Sequence, residues 1–313
     1  MSPVFEATIA GWAVTLAVIG GLIAFDLWHS RRSPHLVGLR EAAGWSLFYT
    51  AVAVLFGLAF AFIAGWQLGG QYFAGYIVER SLSIDNLFVF VIILSTFSVP
   101  AERQPSVLMI GIVGALALRA VFIALGAALL EAFAFTYVAF GLGLIFTAVQ
   151  LFRHRDEDPS VEDNVIVAVA RRHGLPPIVL ALIAIATVDI VFALDSIPAV
   201  FGVTQHAYIV FAANAFALLG LRALYFLVSG LLDRLVYLST GLAAILAFIG
   251  VKLVLHFAHL HDHGVPEIST GLSLTVIAAV LAVTTAASLA RVRRDPRRRA
   301  HAGSLRASDE RVE

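Results

Sequence analysis

Cysteine is absent from this 313-residue chain, and methionine occurs only twice. Without cysteine the chain forms neither disulfides nor thiolate metal sites, and it offers no thiol nucleophile. The two methionines, one of them the initiator, argue against a thioether site for a soft metal. Charged residues make up only 13% of the chain, and the 21 basic and 21 acidic side chains cancel. This balance argues against nucleic acid as a partner.

Apolar residues are what the chain has in excess. They make up 60% of it, with a mean hydropathy of +0.92, whereas a soluble domain carries about 25% charged residues. A membrane helix needs about 20 mostly apolar residues. The sequence therefore predicts an all-α, polytopic membrane protein in contact with the lipid bilayer. We predict nine helices: 6–28, 43–65, 72–98, 106–130, 134–152, 177–198, 207–229, 236–259 and 270–290.

The charged loops indicate an orientation. Arginines follow predicted helices 1, 3, 5, 7 and 9, whereas the loops near 66–71, 131–134, 199–206 and 260–269 contain no Lys or Arg. The positive-inside rule then predicts a multi-pass protein of the inner (plasma) membrane, with the N-terminus outside and the C-terminus in the cytoplasm. We interpret the 153–173 loop as a solvated linker rather than a regulatory site. The tail from Arg291 is interpreted as a disordered topological anchor.

Two acidic motifs indicate an internal duplication. The stretch from Glu79 to Asn86 matches that from Asp189 to Ser196, and each copy has a second acid six residues upstream of an aspartate. Each unit would hold three helices, so the two would cross the membrane in opposite directions, as in the inverted repeats typical of transporters. The predicted segments are 1–71 (helices 1 and 2), 72–152 (repeat unit 1), 153–176 (linker), 177–260 (repeat unit 2), 261–290 (helix 9) and 291–313 (basic tail).

The motifs place acids inside apolar helices, where each isolated charge costs roughly 2.5–3.5 kcal/mol. They must be paired, protonated, hydrated or bound to a cation. Acids outnumber the arginines, and oxygen ligands with a net negative charge suit a hard or borderline divalent cation. The predicted metal ligands are Asp85, Asp195, Glu79, Asp189, Asn86 and Ser196, with Asn214 as a further oxygen donor. Arg119 and Arg222 are predicted to compensate charge, and the alternative is a static core in which they neutralise the two motifs.

Helical geometry constrains this site. Residues seven apart share a face, so Asp189 and Ser196 point the same way, as do Glu79 and Asn86. Asp195 points away from Asp189, which requires either two sites or a local unwinding. Pro198 would allow the unwinding, because it cannot donate a hydrogen bond to the carbonyl of residue 194.

Three further features each have two interpretations. Asp26 is interpreted either as an acid at the cytoplasmic membrane interface or as part of the substrate site. Lys252 either extends toward the interface or pairs with an acid. His256, His259 and His263 have helical spacing, so they form either a solvated loop or a transient metal site.

At these motifs the sequence resembles the TerC/Alx family of integral membrane proteins. The match includes Glu79–Asn86, Asp189–Ala199 and Leu219–Ala223, and it covers nearly all of residues 10–290. The resemblance implies a role in metal-ion homeostasis, above all manganese export, and the family's historical name implies tellurium resistance. Where Alx-like members tend to have a lysine in the first repeat, this chain has Gln150.

The leading hypothesis is a divalent-cation exporter, not an enzyme, that carries Mn²⁺ as cargo and holds no permanently bound cofactor. Proton coupling is the expected driver, because the chain lacks a nucleotide-binding Gly-x-x-x-x-Gly-Lys-Ser/Thr motif. One alternative is an intramembrane hydrolase that uses Asp85 and Asp195 as an acid/base dyad. Another is a non-transporting membrane partner in metal or tellurite stress.

Overall fold

The computed structural model describes residues 7–32, 39–100, 102–153, 175–228, 237–262 and 264–294. It does not describe the side chains of residues 29–32, 39, 84–86, 88, 95, 227–228, 238–239 and 292–294. The described residues form helices and no strand, which confirms the all-α class. The helices are α1 (Ile9–Arg32), α2 (Leu39–Ala64), α3 (Trp66–Thr96), α4 (Gln104–Ala132), α5 (Thr136–Arg153), α6 (Pro177–Phe201), α7 (Ala207–Leu219), α8 (Leu221–Val228), α9 (Leu238–His261) and α10 (Thr270–Arg294).

Seven of the described helices are long and apolar enough to cross a membrane. They are α1, α2, α4, α5, α6, α9 and α10. The predicted number of nine is therefore not confirmed. Helix α3 is long enough, at 31 residues, but it is not one of these seven. The predicted helix 207–229 is divided into α7 and α8 at Gly220.

Large apolar side chains cover much of the outside of the bundle. Leu47, Phe62, Phe146 and Val283 are all at least two-thirds exposed. A soluble protein rarely leaves so much large apolar surface in water. These side chains therefore face lipid, and the protein is an integral membrane protein.

One residue joins α2 to α3. Gly65 has a φ of 103°, in the left-handed region that favours glycine, and its N–H bonds to the carbonyl of Ala61. Because of this tight connection, α3 begins at Trp66 rather than at the predicted 72. Glu79 consequently lies near the middle of its helix.

Three helix pairs form the centre of the bundle. Helices α5 and α9 make the most extensive contact, followed by α3 with α7 and α4 with α6. The crossing of α5 and α9 is close because both helices have a glycine there. A Cβ on Gly141 would lie 2.7 Å from the carbonyl oxygen of Gly250, and the reverse distance is the same. Small residues allow such approach between membrane helices.

The break between α7 and α8 is held by an arginine from α3. Nη1 of Arg80 donates a 2.8 Å hydrogen bond to the carbonyl of Ala217, in the last turn of α7. A Cβ on Gly220 would lie 2.8 Å from the same Arg80 nitrogen. A cation at a helix C-terminus satisfies the last carbonyls and the helix dipole. A side chain at position 220 would displace this guanidinium, so glycine preserves the contact where the predicted single helix is divided.

Helix α6 shows no break. It runs continuously from Pro177 to Phe201 with Pro198 inside it. The local unwinding considered at Pro198 is therefore wrong for this conformation, and the arrangement with two separate acid environments remains. Most of the predicted linker, 154–174, and of the basic tail, 295–313, lies outside the described residues.

Candidate functional site

Arg119 is the centre of a charge cluster buried in the bundle. It is fully buried near the middle of α4, where its Nη1 donates to a carboxylate oxygen of Glu79 on α3. The same nitrogen lies 3.0 Å from Oγ of Ser196, and Nη2 lies 3.3 Å from Oδ1 of Asp189, both on α6. One guanidinium thus joins the upstream acids of both motifs. With both acids ionised, two carboxylates and one guanidinium leave one negative charge.

The contacts agree with the helical spacing. Asp189 and Ser196 are seven residues apart, and both side chains reach Arg119 from one face of α6. Glu79 is 0% exposed and Asp189 only 2%, so the cluster is shielded from lipid and from water. An unpaired charge in such a buried position would be strongly unfavourable, and Arg119 supplies the counter-charge.

The cluster retains hydrogen-bonding capacity that Arg119 does not use. Among the described residues, Oε2 of Glu79 and Oδ2 of Asp189 have no hydrogen-bond partner. The same holds for Oγ of Ser83, one turn beyond Glu79, and for both amide atoms of Asn214 on α7. Buried polar atoms are normally paired, so unpaired ones indicate an absent ligand or ion. All four residues offer oxygen, the ligand type that Mn²⁺ and Ca²⁺ prefer.

The described side chains do not by themselves form a complete metal site. No group of three or more His, Asp or Glu residues lies within metal-binding reach among them. The side chains of Asp85 and Asn86, two predicted ligands, lie outside the described residues, although α3 is described at those positions. The structure thus brings together Glu79, Asp189 and Ser196 of the predicted set.

Asp195 lies in a different environment from Asp189. Its Oδ1 accepts a 2.9 Å hydrogen bond from Oγ1 of Thr147 on α5, and the residue is only partly buried. The two aspartates of α6 therefore face different neighbours, as their six-residue spacing predicts. Thr147 was not predicted, because a single threonine in an apolar helix carries no distinguishing pattern.

Among the described side chains, the acid that Arg222 compensates is Asp26 and not an acid of the second motif. Nη2 of Arg222 lies 2.5 Å from Oδ1 of Asp26 on α1, 196 positions away in sequence. Asp26 is 3% exposed, so this acid is buried within the protein at its contact with Arg222. This pairing follows from the break at Gly220, after which α8 packs against α2 and directs Arg222 away from α6. Arg119 alone serves both motifs among the described residues.

Lys252 and the histidines lie at the other end of the bundle from the arginine-containing loops. His256 contacts Glu267 and Gln205, and His259 contacts the carbonyl of Val265. His263 lies outside the described residues. Lys252 lines the same cavity as His256 and Glu267.

Helices that bury a charge cluster between two matching motifs define a polytopic membrane protein with an intramembrane polar site. The chain belongs to the TerC family of integral membrane proteins, whose model matches residues 64–295. An uncharacterized membrane protein of Mycobacterium tuberculosis is 44% identical, over 88% of this chain and 78% of the relative. One from Myxococcus xanthus is 38% identical, over 91% and 93%.

The Alx protein of Escherichia coli (strain K12) is also similar, at 36% identity over 88% of this chain and 91% of the relative. Its name designates a membrane-bound redox modulator. No solved structure matches the chain.

Proposed function

We propose that this chain is a divalent-cation exporter that carries Mn²⁺ as its main cargo and is not an enzyme. The observation that carries the proposal is the meeting of Glu79 and Asp189 at Arg119, each with a carboxylate oxygen that no described group uses. A purely structural salt bridge needs one acid per arginine. Here a second acid adds carboxylate oxygens that a cation would use.

In this proposal Arg119 acts as an internal counter-charge in the cation-free state. An arriving divalent ion takes over the contacts to Glu79 and Asp189, and the guanidinium moves aside. The exchange keeps the buried cluster close to neutral, which lowers the cost of holding the empty site. Protons on the same carboxylates would serve as the coupling ion, entering as the metal leaves.

Helix packing supports an inverted repeat as the moving framework. In such a repeat α3 corresponds to α6, α4 to α7 and α5 to α9. The contact between α3 and α7 then corresponds to the contact between α6 and α4, and both pairs pack closely. The contact between α5 and α9 corresponds to itself, because each of these helices is the counterpart of the other. Rocking of one unit against the other would expose the cluster alternately to the two sides, with the N-terminus outside and the C-terminus in the cytoplasm.

Asp195 and Thr147 form a second polar site in this scheme. The alternative of an Asp85–Asp195 hydrolytic dyad gains no support from Asp195, whose described contact is a threonine hydroxyl. The name of the Alx relatives suggests redox modulation. Thiol–disulfide chemistry could not provide it here, since the chain has no cysteine.

The test is Mn²⁺ transport into sealed vesicles that contain the purified protein, scanned across divalent ions and pH. We expect Glu79→Gln and Asp189→Asn to abolish transport, because each removes a charge from the cluster while preserving shape. Glu131→Gln and Asp262→Asn are the matched controls, since both acids are exposed on the face without Lys or Arg. The proposal is wrong if the buried variants transport Mn²⁺ as well as the controls do.

A further inference from the structure

A polar cavity of about 480 Å³ opens on the face whose loops contain no Lys or Arg. It lies among the ends of α3, α6, α9 and α10 and the segment before α7. The side chains that matter here are Gln71, Thr204, Gln205, Lys252, His256 and Glu267. Nothing in the proposed site uses these residues, yet their hydrogen bonds connect four separate parts of the chain.

His256 is held in one orientation within the cavity. Its Nδ1 lies 2.9 Å from Oε1 of Glu267, and its Nε2 lies 2.8 Å from the amide nitrogen of Gln205. A carboxylate can only accept, so Nδ1 carries the proton in the neutral ring and Nε2 has the lone pair. A carboxylate that orients a histidine in this way is the usual support of a metal-binding imidazole. Rotation of the Gln205 amide would bring its oxygen next to the same position.

The cavity lies directly beyond the charge cluster along the same two helices. Gln71, whose amide oxygen accepts a 2.6 Å hydrogen bond from Thr204, precedes Glu79 by eight residues on α3. At 1.5 Å per residue this corresponds to about 12 Å along the helix axis. Gly202 follows Ser196 on α6 by six residues, or about 9 Å. An ion that leaves the cluster toward this face therefore meets the cavity next.

The charges of the cavity suit weak rather than tight binding. Lys252 and Glu267 cancel, and burial lowers the pKa of His206 below its usual range, so that this lining imidazole is neutral near pH 7. A transport path needs sites that bind an ion well enough to admit it and weakly enough to release it. A nearly neutral site with an imidazole ligand meets both conditions.

We propose that this cavity is a second, weaker site for the transported divalent cation, with Nε2 of His256 and the amide oxygen of Gln205 as ligands and Glu267 as the orienting carboxylate. The proposal rests on the proposed function for the identity of the ion. It assigns Lys252 a role as well: its charge weakens binding and favours release. A sphere of this volume is about 10 Å across, and a unit charge at that distance in water weakens the binding of a divalent ion roughly fourfold.

The absence of cysteine allows a direct test. Gln67→Cys places a single thiol at the cavity rim, and Glu102→Cys places one at the opposite end of the bundle, so each can carry one nitroxide spin label. Both residues are exposed. Mn²⁺ is paramagnetic and broadens the spectrum of a nearby nitroxide. In the full-length protein in lipid nanodiscs, we expect saturable broadening by Mn²⁺ at position 67 and not at position 102.

Variants in the labelled background identify the ligands. His256→Ala should abolish the saturable broadening, Glu267→Gln should raise its midpoint about tenfold, and Lys252→Gln should lower it roughly fourfold. His261→Ala is the matched control, since this exposed histidine hydrogen-bonds to the carbonyl of Phe257 and packs against the ring of the same residue. The proposal is overturned if His256→Ala broadens like the control, or if position 67 shows no saturable broadening.

The labelling result is independent of transport. If wild-type vesicles fail to transport Mn²⁺ while position 67 still broadens through His256, the proposed function fails and the cavity remains a cation site. If transport depends on Asp189 but the broadening does not depend on His256, the cavity proposal fails alone.

Discussion

Replacing Arg119 by methionine should destabilise the protein strongly, because it leaves two acids buried without a counter-charge. Methionine has a similar length and adds no cavity large enough to dominate the result. The cluster changes from one net negative charge to two, within a part of the bundle where Glu79 is 0% and Asp189 2% exposed. The loss should therefore come from electrostatics rather than from packing.

The magnitude follows from the burial of all three groups. Removing one partner of a buried ion pair costs about 3–5 kcal/mol. That is a large share of a total stability of about 5–15 kcal/mol. It corresponds to a fall in melting temperature on the order of 10 °C. Adding Glu79→Gln and Asp189→Asn to Arg119→Met should restore most of this loss, because no buried charge then remains.

Thermal unfolding in detergent, followed by the fluorescence of the four tryptophans, measures this difference. Arg153→Met is the matched control, since this arginine is exposed at the end of α5 and should shift stability by less than about 0.5 kcal/mol. Mn²⁺ should raise the melting temperature of Arg119→Met more than that of the wild type, because the vacated cluster is more negative. An Arg119→Met protein as stable as the control would refute the reasoning.

Two further predictions concern the packing of α5 against α9 and the contact between Thr147 and Asp195. Gly141→Ala should destabilise the protein by about 1–3 kcal/mol, because its Cβ would lie 2.7 Å from a backbone oxygen of α9. Gly143→Ala, where a Cβ would meet open space, should be neutral or slightly stabilising. Thermal unfolding of the two variants measures the difference. Thr147→Val should lower the free energy of unfolding by about 1.5–3 kcal/mol if Asp195 is ionised. A double-mutant cycle with Asp195→Ala should assign that loss to the hydrogen bond between the two residues. Full additivity of the two substitutions would show that the contact contributes nothing.

Features that depend on a single helix could be predicted from the sequence. The all-α class follows from composition, and the shared face of Asp189 and Ser196 follows from seven-residue spacing. The separation of Asp195 from Asp189 follows from the same geometry. Pro198 was considered as a break because it lacks an N–H, but α6 continues through it to Phe201 and all of residues 196–201 are buried. In this case tertiary contacts overrode a local preference.

Pairing between helices could not be predicted in the same way. The matching positions of Arg119 and Arg222 suggested equivalent roles, and a sequence comparison treats them alike. Of the two, Arg222 is the one that follows a helix break, at Gly220, where the guanidinium of Arg80 lies close to the backbone. Its partner Asp26 is far away in sequence, and nothing in the local pattern of α1 indicates that its acid is buried.

The pair formed by Asp26 and Arg222 has a consequence for how such a protein could be shortened or assembled in evolution. The family match begins at residue 64, after α1 and α2, but the counter-charge of an arginine inside the matched part comes from α1. A shorter version without the first two helices would leave that arginine without its carboxylate partner and uncovered where α2 packs. The N-terminal pair of helices is therefore part of the charge balance of the matched region rather than an independent addition to it.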